Sequence, residues 1–197
     1  VKDISSIRGE SSVIVFVVSS LAGGTGCGTF IDFAYLIHHA FEVTGVAENN
    51  YYVFGIFVLP YGFGATVPEI DREEQFKING FSAFREMHRL VTSPGVRQPY
   101  SNGLQVDLKY HLFDLVYFLD GTTVAGESGA GVKHFEGLCP AISEFIRINM
   151  TEGVSPTTDF PNVVQRSIRE DIRDYPDKFR VSIYSTFGIH KYILEIN

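Results

Sequence analysis

The chain is short of positive charge and of cysteine, and it has no long apolar run. Lysine and arginine together number 16 against 23 aspartates and glutamates, a formal net charge of −7. No basic stripe gathers anywhere along it, which argues against a nucleic-acid partner, since phosphate contacts need clustered lysine and arginine. Apolar runs stop at about eight residues, far below the roughly 20 that a membrane-spanning helix requires. No basic segment followed by an apolar stretch marks a secretory signal. The two cysteines, Cys27 and Cys139, sit in unlike contexts and make no metal-ligand spacing. Reduced thiols, a cytoplasmic location and no protein-built metal site are the corresponding expectations.

What is present is an ordinary globular mixture. The 197 residues, 45% hydrophobic and 20% charged, suffice for one sizeable domain with a real core. The sequence opens on Val1 rather than methionine and stops at Asn197 within a strand-like pattern, which leads us to expect a piece of a longer protein.

Three segments, 13–20 (VIVFVVSS), 51–59 (YYVFGIFVL) and 113–120 (FDLVYFLD), are nearly continuous in apolar, β-branched and aromatic residues. That pattern predicts strands covered on both faces. Helical patterns separate them. Over residues 29–41 the apolar positions Phe30, Phe33, Ala34, Ile37, Ala40 and Phe41 predict one inward stripe. Phe76, Phe81, Phe84, His88 and Val91 do the same over 73–91, and Phe135, Leu138, Ile142, Phe145 and Ile146 over 132–148. Pro140 either kinks this last helix or marks its start. Residues 121–131, rich in glycine, serine and threonine, read as a loop. A helix over 160–175 and one or two strands over 180–196 complete the expectation. Strands alternating with helices predict an α/β fold, a Rossmann-like parallel sheet with flanking helices.

The chemistry-bearing feature is Ala22-Gly23-Gly24-Thr25-Gly26-Cys27-Gly28, placed between the first strand and the helix that follows. Glycines let a backbone approach a phosphate and present successive N–H groups to it. A helix N-terminus adds free donors and the positive end of its dipole. Thr25 and Thr29 hydroxyls are further candidate donors. A Walker loop would need a lysine, and none is present. A dinucleotide fingerprint would need Gly-x-Gly-x-x-Gly and an acid closing the second strand. Here the spacing is Gly24-x-Gly26-x-Gly28, and the second strand runs into Leu59-Pro60.

The run resembles the phosphate loop of the tubulin/FtsZ superfamily, Gly-Gly/Ala-Gly-Thr-Gly-Ser/Thr-Gly after a buried strand, with alanine in the first place and cysteine for serine or threonine. The longer string SSLAGGTGCGTFIDFAYLI is most similar to the prokaryotic tubulin-like proteins. The resemblance implies GTP or GDP, with magnesium as companion ion, and self-association. It implies Pro60 beside ribose and phosphates, in a turn where the family has Thr-Arg-Pro-Phe, and Asp120, closing the third strand, beside ribose or base. Asp120 also reads as a cap for the following turn. Asn79-Gly80-Phe81-Ser82-Ala83-Phe84-Arg85-Glu86 resembles a family helix of small and acidic residues, and Ala141–Ile146 the end of the long central helix.

Two departures qualify the match. The family's first strand–helix–strand unit, with its own glycine loop, has no counterpart before Val13. Residues 1–179 therefore read as a nucleotide-binding core lacking that unit, and 180–197 as the start of a second domain or as final strands. The family's intersubunit Asn-x-Asp-x-x-Asp loop corresponds to Thr157-Thr158-Asp159-Phe160-Pro161-Asn162, where only Asp159 stays in register. Asp159 could orient an attacking water at a neighbour's nucleotide, giving a GTPase completed between subunits. The reading preferred on the residues themselves is the cap of a helix beginning near Phe160-Pro161. A non-catalytic tubulin-like scaffold and a Rossmann-type enzyme using a nicotinamide or flavin are the alternatives. Cys27, at a helix N-terminus, is a candidate nucleophile without a visible His–Asp partner. His38 and His39 lack chelating spacing and read as a rim pair.

Overall fold

A computed structural model describes residues 13–47, 50–63, 70–92, 97–107, 112–120, 135–150 and 184–187. The elements run β1 (Val13–Ser20), α1 (Gly24–Val43), β2 (Tyr51–Val58), a 3-10 turn (Pro60–Phe63), α2 (Ile70–Thr92), β3 (Arg97–Pro99), β4 (Gln105–Asp107), β5 (Leu115–Leu119), α3 (Phe135–Met150) and β6 (Tyr184–Ser185). β1, β2, β5 and β6 form one sheet in that order, each neighbouring pair parallel. β1 and β2 stay in register from Val13 opposite Tyr51 to Ser20 opposite Val58. The result is the α/β architecture that the alternation predicts, a parallel sheet with helices on both faces.

Side-chain alternation along the strands divides the interior into two halves. Val17, Val53, Phe57 and Val116 face one way and meet Phe30, Ala34, Tyr35 and Phe41 of α1 with Ala83 and Met87 of α2. Phe54, Ile56, Val58, Leu115, Tyr117 and Leu119 face the other way, against Leu138, Ile142, Phe145 and Ile146 of α3. β2 is thus covered on both sides, which is why its sequence is apolar at every position rather than alternating. The ring of Phe57 lies 4.9 Å from Phe30 and 5.4 Å from Phe113, centroid to centroid. Burying each ring stabilises the fold by roughly 1.5–3 kcal/mol, so this trio is a principal anchor of α1 on the sheet. Gly55 makes room for it: a Cβ there would stand 2.5 Å from the Phe57 ring.

Several expectations need correction. α1 begins at Gly24 rather than at residue 29 and takes in the glycine run that reads as a loop. Of its expected inward stripe, Phe30, Ala34 and Phe41 are buried and Ile37 packs beside them, but Phe33 is 58% exposed and Ala40 also faces outward. Among the described residues of α2 the buried positions are Gly80, Ala83 and Met87; Phe81 is 67% exposed, whereas Phe84, though one edge is exposed, lies against Phe118 and Tyr184 of the sheet as expected. Gly80 and Ala83 lie on the side nearest the sheet because small residues allow the helix to approach it closely. Pro140 lies inside α3; lacking an N–H, it leaves the Glu136 carbonyl without its helical donor.

The antiparallel hairpin β3–β4 has no counterpart among the sequence expectations. It turns through Asn102-Gly103, with Gly103 at φ +84°, and docks on α1 through the Tyr100 hydroxyl, which donates to Asp32 Oδ1 at 3.0 Å. Of segment 180–196, Tyr184–Ser185 is a strand paired with β5. The helix expected over 160–175 lies outside the described residues, as do the loop over 121–131 and Asp159.

Candidate phosphate-binding site

Because the sheet is parallel, β1, β2 and β5 all end on one edge. The ladder continues one residue past the strands: Leu21 N–H donates to Val58 O at 2.9 Å, and Leu59 N–H to Leu119 O at 2.7 Å. Ala22, Pro60 and Asp120, the residues next in line on each strand, therefore emerge side by side. Three of the segments singled out in the sequence meet here, at the carboxyl edge where open α/β sheets bind ligands. Asp120 is exposed at that edge.

The turn from β1 into α1 is held at fixed points. Ala22 N–H donates to Ser20 Oγ at 3.1 Å, and Cys27 N–H donates to Gly23 O at 3.1 Å, the first bond of the helix. Gly23 is the N-cap, in an extended conformation and with no side chain to cap the helix, and no acidic residue stands in the first turn. The N–H groups of Gly24, Thr25 and Gly26 precede the first helical bond and so have no acceptor within the helix. With the dipole's positive end behind them, they form a donor set suited to an anion.

The glycines of this run do different things. A Cβ on Gly23, Gly24 or Gly28 would meet nothing within 4 Å, whereas one on Gly26 would stand 2.2 Å from Ser20 O and 2.9 Å from Ser19 Oγ. Gly26 lets the helix start sit on the end of β1, and Gly23 and Gly24 leave space in front of it. Thr25 is exposed. The Thr29 hydroxyl donates back to Thr25 O at 2.8 Å, so it braces the first turn.

Cys27 turns toward the core, where it packs against the α1 side. Burial pushes its thiol pKa up, the opposite of what a nucleophile at a helix N-terminus needs. Its place in the loop is structural on the side-chain level, and its amide is already engaged. His38 is at the far, amino edge of the sheet. Its Nε2 lies 3.1 Å from Leu112 O and its Nδ1 3.0 Å from the Tyr51 hydroxyl. A carbonyl can only accept, so Nε2 carries a hydrogen, and in the neutral ring Nδ1 accepts from the Tyr51 hydroxyl. Among the described residues no group of three or more His, Cys, Asp or Glu could hold a metal ion, and no helix is long and apolar enough to cross a membrane.

Sequence reasoning assigned no role to Asn79 and Gly80. Asn79 Nδ2 donates to Ala22 O at 3.0 Å, which ties α2 to the glycine turn. A Cβ on Gly80 would stand 2.5 Å from Pro60 Cγ and 3.1 Å from Leu21 O, so this glycine lets α2 press on both strand ends. The available signal was an Asn-Gly pair in the middle of a strong helical pattern, where neither residue favours helix.

A model of the tubulin-like family matches residues 2–196. No curated protein and no solved structure matches the chain. The fold defines a Rossmann-type parallel-sheet domain with a glycine turn at the carboxyl edge of its sheet. The chain belongs to the tubulin-like family.

Proposed function

We propose that the turn formed by Ala22, Gly23, Gly24, Thr25, Gly26, Cys27 and Gly28 binds the phosphates of GTP or GDP, in a tubulin-like protein that associates with copies of itself. The observation that carries this reading is the set of helix-start N–H groups at Gly24, Thr25 and Gly26, without acceptors in the helix, in a turn where a Cβ on Gly23 or Gly24 would meet nothing within 4 Å. Backbone donors explain how an acidic chain holds an anion without a lysine in the loop. Pro60 and Asp120, at the ends of the two adjacent strands, stand where ribose and base would follow the phosphates. Guanine over adenine rests on family membership, and kinship with the prokaryotic members on the string SSLAGGTGCGTFIDFAYLI alone. Magnesium would be held chiefly by phosphate oxygens and water, with carboxylates such as Asp120 at hand.

Hydrolysis, in this reading, is completed between subunits, with Asp159 of one copy orienting water at the nucleotide of the next. A non-catalytic tubulin-like scaffold is the second reading. It is favoured by residues 157–162, where only the central acid of the family's loop is retained.

Calorimetric titration of the full-length protein with GTP, GDP, ATP and NAD tests the proposal. Binding of GTP and GDP in preference to ATP and NAD is expected. No nucleotide binding, or a preference for NAD, would overturn it.

A further inference from the structure

The glycine turn is aimed by a side-chain relay on α2. Gln75 Nε2 donates to Asn79 Oδ1 at 2.8 Å, one helical turn apart. The Ala22 carbonyl can only accept, so Nδ2 is the end of the Asn79 amide that faces it, 3.0 Å away, and Oδ1 is left to accept from Gln75, whose bond steadies that orientation. In a trans peptide the carbonyl and the following N–H point in opposite directions. Holding the Ala22 carbonyl toward α2 therefore turns the Gly23 N–H away from α2. Among the described residues no hydrogen bond engages that N–H, and the space a Gly23 Cβ would occupy is open.

The surrounding contacts leave this peptide as the adjustable one. Leu21 is fixed by Val58, the Ala22 N–H by Ser20, the Gly23 carbonyl by Cys27, and Gly26 by its seat on Ser20. The Ala22–Gly23 peptide is the link whose plane depends on a residue of another helix, and glycine on its C-terminal side makes rotation easy.

We infer that Gln75 and Asn79 are positioning residues that set the Gly23 N–H as a further phosphate donor, ahead of those at Gly24, Thr25 and Gly26. This rests on the phosphate-binding reading of the turn and deepens it. Gln75 is exposed and four residues from Asn79, so its effect on a ligand has to pass through Asn79.

The test compares affinities of the full-length protein and its Asn79→Leu and Gln75→Leu variants for guanosine, GDP and GTP. Asn79→Leu keeps size and removes both hydrogen bonds. It should weaken GDP and GTP by about tenfold and leave guanosine within about twofold. Gln75→Leu, a surface change that preserves the fold, should weaken GDP and GTP by about threefold, again sparing guanosine. Equal loss for guanosine and GTP would make Asn79 a direct contact of the nucleoside and overturn the inference. So would unchanged GTP affinity in folded variants while the parent protein binds GTP. A parent protein that binds no guanine nucleotide would overturn the phosphate reading itself, and the relay with it.

Discussion

The two halves of the glycine turn look alike in sequence and are built for different purposes. Its outer half, Gly23 to Thr25, borders open space, while its inner half, Gly26 and Cys27, is packed onto the end of β1 and against the core. Gly24 and Gly26 are two residues apart, yet a methyl on one would meet nothing within 4 Å and on the other would meet a carbonyl oxygen at 2.2 Å. The difference shows that glycines in one turn can serve two separate ends. Gly26 seats the helix on the strand, and Gly24 leaves open space in front of it, the space that the proposed phosphate would occupy.

Substitutions at the inner half should act on stability. Gly26→Ala forces the first turn of α1 off the backbone of Ser20, an overpacking that costs about 1–3 kcal/mol. Thermal melting should show a Tm lowered by several degrees. An unchanged melting temperature would mean that the turn is loosely seated and that the two halves do not differ.

Asp159 takes the comparison beyond the loop, to the intersubunit role proposed for it. If it serves a neighbour's nucleotide, Asp159→Ala should leave GTP affinity nearly unchanged and slow turnover by about tenfold or more, about 1.4 kcal/mol in the barrier. Turnover of the parent protein should then rise faster than linearly with its concentration. A helix-capping role would instead lower stability by about 1 kcal/mol and spare turnover per folded molecule. Melting and turnover measured on this one variant separate the two.

The smallest effect concerns Cys27. Its raised thiol pKa means less thiolate at neutral pH than an ordinary cysteine carries. Alkylation in the folded protein should be slower than at the exposed Cys139, with a rate that is still climbing as pH rises past the usual thiol range. Faster modification of Cys27 than of Cys139 would place its sulfur in the open half of the turn.

These contrasts also mark what could be read in advance. β1 matches its expected span and β2 falls one residue short of it, because an unbroken apolar run needs no tertiary information. The cover on both faces expected of such runs holds for β2, but β1 is only half-buried, with Val18 47% exposed. The glycine run was legible as a turn between the first strand and its helix, but its extent as a helix was not. Glycine's low helix propensity argues for a loop, and only the seat of Gly26 on Ser20 shows why the helix starts so early. The outward-facing Phe33 and Phe81 were misplaced for a related reason. Helical periodicity gives the spacing of apolar side chains, but not which of two apolar stripes the sheet will cover. Asn79 stayed silent because its partner is a backbone carbonyl 57 residues away, and backbone groups leave no trace in a pattern of side chains.

The central claim is that the outer half of the turn binds phosphate through its backbone, and Gly24→Val tests it most directly. The substitution introduces a side chain into space that is open in the folded chain, so circular dichroism and melting should match the parent protein. Titration with GTP should give a binding isotherm for the parent and none for the variant. A folded Gly24→Val protein that binds GTP with unchanged affinity would contradict the account.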